Sequence, residues 1–560
     1  MLSNKQSVRD LIHLLVHHGV RRVVISPGSR NAPLSVSLDR HPEVETHVII
    51  DERSAAFVAL GMAQQSGEPV AICCTSGSAA YNYAPAVAEA YFQRIPLVVL
   101  TADRPEEWIG QGDGQTIFQS GIFGPHVRAA VDVREDIAHP DQRLHQWRSV
   151  HNALLSMRDG ADGPVHFNVF LREPLYEVSD RDLPALRTPT PPPALTSLPA
   201  NQSQALNNRC AAAKSVLILA GSQPPDAPLQ QDLERLSALP NVLVLTEHHS
   251  NLAHARFVGC IDRLLMTFTG VERDAFVPEV LITFGTNIIS KKIKALFRED
   301  PPAEHWHVDP ITPQMDTYAS LTRAFRMQPH HFFAELDWSS QAEYAQPWQA
   351  RNGANQTQHD AYVAQAGFSD MQVIQAVHRS IPAGSKLQMG NSAVVRYFLL
   401  DDPRTDLHYF GNRGTSGIDG CTSTALGANA VTTAQTWLVS GDVAFFYDSN
   451  ALWNDQPKAG LKVVVVNNQG GGIFRIIPGP EQSGVMERYF ESHHHRTAQA
   501  LVTDLGLAYQ SAGSNDELRA GLAWLEAQNG PAVLEVFTPR NTNAEVLKAY
   551  FATLKSQAHG

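Results

Sequence analysis

A carboxylate, an amide and a run of glycines stand close together in the last quarter of this 560-residue chain, in WLVSGDVAFF around Asp442 and VVVVNNQGGGIF around Asn468. An apolar run precedes Gly441 and Asp442, and a second, 463–466, precedes Asn467 and Asn468, which places both polar pairs at strand ends. In an open parallel sheet the carboxyl ends of strands are where ligands bind, and a helix beginning after Gly441 and Asp442 would turn free N–H groups toward a phosphate. A diphosphate docked there needs a counter-cation. Asp442, Asn468 (26 positions later) and a backbone carbonyl at Gly470 are hard oxygen ligands of the kind Mg²⁺ or Mn²⁺ prefers. Taken alone, the same spacing also fits two buried strands and a turn with nothing bound.

The elements that would position these groups repeat along the chain. Strand-like runs at 23–26, 48–50, 70–74 and 97–100 alternate with helical stretches, which predicts a doubly wound parallel sheet of the α/β class. A polar loop follows each run: Ser26 to Asn31, Asp51 to Arg53, Thr75 to Ser78, and Thr101 to Pro105. A Pro-rich stretch at 188–199 reads as a linker, and so does the polar segment 339–360. Between them, runs at 216–220, 242–245, 280–284 and 306–309 predict a second α/β unit without a GxGxxG fingerprint. Beyond 360 the alternation resumes through 386–389, 407–410, 437–439, 463–466 and 532–537. The expected domains are 1–185, 200–338 and 361–560.

Composition removes several function classes. Charged residues are 18%, below the roughly 25% of soluble domains, and hydrophobic residues 43%, which suits extensive buried sheet or a subunit interface. A net charge of -12 favours neither nucleic acid nor an anionic membrane, so an anionic ligand must meet a local basic cluster. No run reaches a membrane span and the N-terminus lacks a signal-peptide core, so the expected location is the cytoplasm. Cys73, Cys74, Cys210, Cys260 and Cys421 have no metal-site spacing and read as reduced, packed thiols. His493, His494 and His495 read as a solvated loop, because adjacent side chains converge poorly on one ion.

The GD and NN pairs resemble the metal and diphosphate motif of thiamine-diphosphate enzymes, with Val443 where many of them have glycine and a slightly short gap. Three α/β domains in this order match that superfamily's pyrimidine-binding, central and diphosphate-binding domains, the pyruvate decarboxylase-like fold. SPGSRNAPL, DERSAAFVALG, TSGSAAYN, LTADRPEE, GNSAVVR, NRGTSGIDG and NNQGGGIF together resemble, more closely, the 2-succinyl-5-enolpyruvyl-6-hydroxy-3-cyclohexene-1-carboxylate synthase family of menaquinone biosynthesis. The resemblance is close in the first and third domains. In the middle it rests on GTNIISKK, residues 285–292.

That resemblance implies decarboxylation of 2-oxoglutarate and Michael-type addition of the succinyl carbanion equivalent to isochorismate, with thiamine diphosphate and Mg²⁺ or Mn²⁺, in a homodimer or dimer of dimers. It assigns Glu52 to the aminopyrimidine, where a carboxylic acid favours the imino tautomer. Ser76, Gly441, Asp442 and Asn468 fall on cofactor-binding positions, Ile418 on the apolar prop of the bent cofactor, and Ile473 and Phe474 on the wall near the thiazolium. Reaction and substrate contacts fall on Ser29, Arg30, Arg104, Gln115, Lys291, Lys292, Asn391, Ser392, Arg396 and Arg413. Lys292 stands where the family has arginine, which exchanges a bidentate fork for a point charge. Two other readings remain open: an acetolactate-synthase-like carboligase acting on pyruvate, and a catalytically silent α/β binding protein. The first would need fewer cations; the second would not need Glu52, Asp442 and Asn468 together.

Overall fold

The computed structural model describes residues 1–191, 197–456, 458–477 and 479–558. Three six-stranded sheets succeed one another, and every strand pairing within them is parallel. Their strands are mostly continuous Val, Ile and Leu runs, as sheets covered by helices on both faces require.

Across the first sheet the strands run Glu45–Val48, Arg22–Ile25, Val70–Cys74, Leu97–Asp103, Val165–Phe170 and Ala130–Val133. Across the third they run His408–Phe410, Lys386–Met389, Thr436–Gly441, Leu461–Asn467, Ala532–Phe537 and Ala508–Ala512. Numbered within each sheet in chain order, both read 2-1-3-4-6-5. The direction of winding therefore reverses between the first and third strands, and the loops after those two strands flank the crevice in which such sheets bind ligands. In the first sheet these loops begin after Ile25 and Cys74; in the third, after Met389 and Gly441.

The central sheet differs, with Val216–Ala220 beside Val280–Phe284 at its switch point and the order 3-2-1-4-5-6 of dinucleotide-binding sheets. Its crevice is bridged by backbone. Gly221 N donates to Phe284 O at 2.8 Å and Thr286 N to Ser222 O at 3.0 Å, and a Cβ on Gly221 would lie 2.9 Å from Phe284 O.

Helix Glu52–Ser66 of the first unit packs on helix Cys421–Ala430 of the third, and residues of both sheets merge into one apolar core. The approach is backbone to backbone. A Cβ on Gly61 would lie 2.0 Å from Thr424 O, and one on Gly427 1.9 Å from Val58 O, so only glycine fits either position.

Several elements depart from the sequence reading. Of the run 48–50 only Val48 is in a strand, the more polar Glu45–Val48 at the sheet edge, and Ile49 and Ile50 lie in the loop after it. Strands Ala130–Val133, Val165–Phe170, Leu321–Phe325 and Ala508–Ala512 were not anticipated. The polar segment 339–360 is not a linker: it leads into helix Ala345–Gln365, whose Trp348, Asn355, His359 and Val363 are buried against neighbouring units. Of the expected Pro-rich linker, residues 192–196 lie outside the described residues. All five cysteines are buried and unpaired.

Candidate active site

At the switch point of the third sheet lies a cavity of about 490 Å³. Lys291, Asn391, Ser392, Arg396, Arg413, Ile418, Gly441, Asp442, Asn468, Gly470, Ile473 and Phe474 all line it. Ser29, Arg30, Glu52, Ser76, Arg104 and Gln115, by contrast, do not line the cavity.

One end of the cavity carries oxygen donors. Asp442 opens the short helix Asp442–Tyr447 and is buried; its Oδ1 accepts from Val443 N at 2.7 Å and its Oδ2 from Gly470 N at 2.9 Å. The Asn468 amide donates from Nδ2 to Asp370 Oδ2 at 2.8 Å, while its Oδ1 is buried with no partner. The Gly470 carbonyl accepts from Gly472 N at 3.0 Å and keeps a second lone pair. Only glycine fits there, because φ is 149° and a Cβ would meet Glu491 O at 2.6 Å. A buried carboxylate, an orphaned amide oxygen and a carbonyl fit a hard divalent cation, and the open space before Gly441 leaves room for the phosphates such a cation would neutralise.

The other end is cationic. Ser392 takes a φ of 70° at the start of helix Ala393–Phe398, and Arg396 folds back so that Nη1 donates to the Ser392 carbonyl. Arg413 Nη1 donates to Asn391 Oδ1 at 2.7 Å, and Asn391 Nδ2 donates to Asn412 O and Gly417 O at 2.7 and 2.6 Å. Burial lowers the pKa of both arginines, and the charge of Arg396 lowers that of Arg413 further, with Glu247 and Glu89 opposing. Two desolvated guanidiniums lining one cavity suit an anionic ligand.

The loop bearing Arg413 is gripped by all three units. Glu89 of the first accepts from Gly414 N and Thr415 N, both at 2.6 Å; Asn287 of the central unit donates to Arg413 O at 2.5 Å; Asn391 of the third holds the guanidinium. Glu247, wholly buried, accepts from Ile289 N and Ser290 N at 2.7 Å and so fixes the turn that presents Lys291. Burial pushes its carboxyl up to about 7.

The first sheet assembles its own cluster at its own switch point. Buried Arg30 donates to Leu171 O at 2.9 Å and pairs with Glu173 at 3.2 Å; its pKa is lowered by burial and by Arg104 beside it. Arg104 Nη2 donates to Gly114 O at 3.0 Å, and Gln115, at φ 60°, donates to Ser76 O at 3.1 Å. Ser76 Oγ is buried without a partner, and Ser29 is exposed. Glu52 opens helix Glu52–Ser66, capped by Asp51, and its partly exposed carboxylate accepts from Asn82 Nδ2 at 3.4 Å.

The structure corrects two expectations, for Lys292 and His494, and adds to a third, for Asn391. Lys292 turns away from the cavity, its ammonium 5.7 Å from the Phe551 ring centroid, because consecutive residues on helix Lys291–Glu299 point in different directions. Asn391 lines the cavity and also orients an arginine, its Oδ1 accepting from Arg413 and its Nδ2 donating to Asn412 O and Gly417 O. His494 is not solvated: its Nε2 lies 3.3 Å from Asp442 Oδ2 and its ring packs on Phe446. Asp370, Glu89, Glu247, Asn287 and His494 escaped the sequence reading, since each acts through partners 42 to 326 residues away or through a turn no local pattern announces.

Three family models match the chain in order: the N-terminal TPP-binding domain of thiamine pyrophosphate enzymes over residues 6–122, their middle domain over 202–389, and their C-terminal TPP-binding domain over 388–536. The chain is 38% identical to the 2-succinyl-5-enolpyruvyl-6-hydroxy-3-cyclohexene-1-carboxylate synthase of Flavobacterium johnsoniae over 551 residues, 98% of each protein. The chain belongs to this synthase family. Synthases of the same name from Porphyromonas gingivalis and Bacteroides thetaiotaomicron are 38% and 35% identical, covering 100% of this chain and 98% and 100% of their own. As a member of the synthase family the chain is a thiamine-diphosphate enzyme with an α/β fold, and among the described residues no helix is long and apolar enough to cross a membrane.

Proposed function

We propose that this synthase decarboxylates 2-oxoglutarate and adds the resulting succinyl carbanion equivalent to isochorismate, with a divalent cation and in a dimer whose sites combine both clusters. The carrying observation is that Lys291, Arg396 and Arg413 share one cavity with Asp442, Asn468 and Gly470. The two substrates bring four carboxylates, and a chain of net charge -12 must meet them with local cations. Bound thiamine diphosphate supplies the nucleophilic carbon and the electron sink. Asp442, Asn468 and the Gly470 carbonyl would hold the cation that bridges its diphosphate to the protein. Ile418, Ile473 and Phe474 would exclude water, and Arg396 and Arg413 would orient carboxylates through charge-assisted hydrogen bonds.

Glu52 would keep a proton on the pyrimidine nitrogen from the edge of a second copy. Ile50 and Val48, 62% and 57% exposed, and Tyr81, 57% exposed, surround it with apolar surface that a partner would cover. A dimer supplies the second cluster twice over. The deciding assay is CO₂ release from 2-oxoglutarate, with and without isochorismate, thiamine diphosphate and Mg²⁺, against pyruvate as donor. Pyruvate lacks the distal carboxylate and would leave a buried cation unpaired, so it is expected to be turned over at least tenfold less efficiently. Equal turnover of both donors would replace this reading by an acetolactate-like one.

A further inference from the structure

Asp370 is the first residue of helix Asp370–Ser380 and is 2% exposed, at the wall of the cavity. Its Oδ2 accepts from Asn468 Nδ2 at 2.8 Å and its Oδ1 from Thr538 Oγ1 at 2.5 Å, while its own N–H donates to Asn543 Oδ1 at 2.9 Å. Four elements meet in this network: the end of strand Leu461–Asn467, the start of the helix, the residue after strand Ala532–Phe537, and helix Thr542–Ala558.

An ionised carboxylate only accepts hydrogen bonds, whereas a side-chain amide accepts at one end and donates at the other. Asn468 must therefore turn its NH₂ to Asp370 and its oxygen away. That oxygen is buried and has no partner within the protein. The neighbouring Asn467 has no such duty; its Oδ1 accepts from Gln469 N and its Nδ2 donates to Glu535 and Arg496 O.

We infer that Asp370 is a positioning residue for the divalent cation: without reaching the ion, it dictates that Asn468 presents oxygen, not nitrogen, beside Asp442 and Gly470. The inference rests on the reading that those three residues hold the cation. Replacing Asp370 by asparagine keeps the shape but allows either end of the new amide to face Asn468, so the ligand loses its enforced orientation. Residues that orient metal ligands typically contribute about 10- to 100-fold in metal affinity.

The test is Mn²⁺ binding in the presence of thiamine diphosphate, read from the electron paramagnetic resonance signal of free Mn²⁺, a readout independent of turnover. Asp370→Asn is expected to bind Mn²⁺ about tenfold or more weakly than the wild type. The double variant Asp370→Asn, Asn468→Asp is expected to regain most of that affinity. Its carboxylate faces the ion and accepts from the amide behind it, and the net charge is unchanged. Should Asp370→Asn fail to fold, the double variant decides alone: folded, with Mn²⁺ affinity within about threefold of wild type, it supports the inference, and with a tenfold or greater loss it overturns it. Unchanged affinity in a folded Asp370→Asn also overturns the inference and leaves the cation site standing. A wild type that takes up no Mn²⁺ overturns the cation site itself.

Discussion

In the third sheet the loops at the switch point close into a cavity of about 490 Å³, whereas in the first sheet the loop after Ile25 exposes Ser29 and the loop after Cys74 packs down with Thr75 and Ser76 buried. The strand order is the same, 2-1-3-4-6-5, so topology alone does not make the difference. Two covers close over the crevice of the third sheet. One is the pair of segments 470–477 and 490–492, which line the cavity past the end of strand Leu461–Asn467, with Glu491 clamped between Arg475 and Arg540. The other is the Lys291 turn of the central unit. Strand order determines where catalytic loops emerge; covering segments determine whether they enclose anything. Arg30, Arg104 and Gln115 hold defined positions yet do not line that cavity, and the proposed dimer would bring them to it from a second copy.

The largest expected effect breaks the enclosed half. Asp442→Ala removes the anionic member of the set Asp442, Asn468 and Gly470, and calorimetry should find no saturable cofactor binding at Mg²⁺ concentrations that suffice for the wild type. Next comes the open half: Glu52→Gln should bind the cofactor normally but lose about 10²- to 10⁴-fold in rate and in exchange of the cofactor's C2 hydrogen. Mixing this variant with Asp442→Ala should restore activity where subunits exchange, since one site then draws both intact residues. A fully active monomer in sedimentation would collapse the comparison.

At the cationic end, Arg396→Ala or Arg413→Ala should raise KM for at least one dicarboxylate about tenfold to a hundredfold, the equivalent of about 1.5–3 kcal/mol, with cofactor affinity unchanged. Gly61→Ala tests the joint between the halves instead of either one. Its Cβ would meet a backbone oxygen at 2.0 Å, and overpacking of this kind costs about 3 kcal/mol, visible as a lowered midpoint of thermal unfolding.

The smallest effect is the pH dependence of that joint. Asp448 lies buried beneath it, accepting from Ser423 N at 2.6 Å and Ser423 Oγ at 2.8 Å, and Ser423 Oγ in turn meets Ser54 Oγ of the first unit. Burial raises its carboxyl to about 7. A folded pKa above the unfolded value of about 3.9 gives a stabilising contribution that is complete below about pH 4 and fades as the pH climbs through about 7. The stability advantage of wild type over Asp448→Asn should therefore be greatest near pH 4 and shrink toward pH 8; an advantage that grows with pH would refute the assignment.

Much of the enclosed half was legible in the residues themselves. The apolar runs before Gly441 and Asn467 announce strands, and the polar groups that follow them fall where a parallel sheet exposes its carboxyl ends. The buried strand Val165–Phe170 escaped because its polar His166 and Asn168 interrupt the apolar run, and the groups they bond, on Thr101, Asp103 and Gln119, lie on other elements. The helix Ala345–Gln365 escaped because its sparse apolar residues look like a polar tether until Trp348 meets Phe268 and Phe276.

By itself, then, the sequence determined the α/β class and the family, and it singled out Asp442, Asn468, Gly470, Arg396 and Arg413, which share one cavity. These are local facts: residue type, position after an apolar run, and motif. The tertiary structure decided which of two consecutive lysines enters the cavity, that Asn391 serves Arg413, that His494 reaches Asp442, and that Asp370 turns the Asn468 amide. Each of these depends on the direction of a side chain and on the group opposite it, and those are set by packing between segments far apart in the chain, which no spacing along one segment encodes.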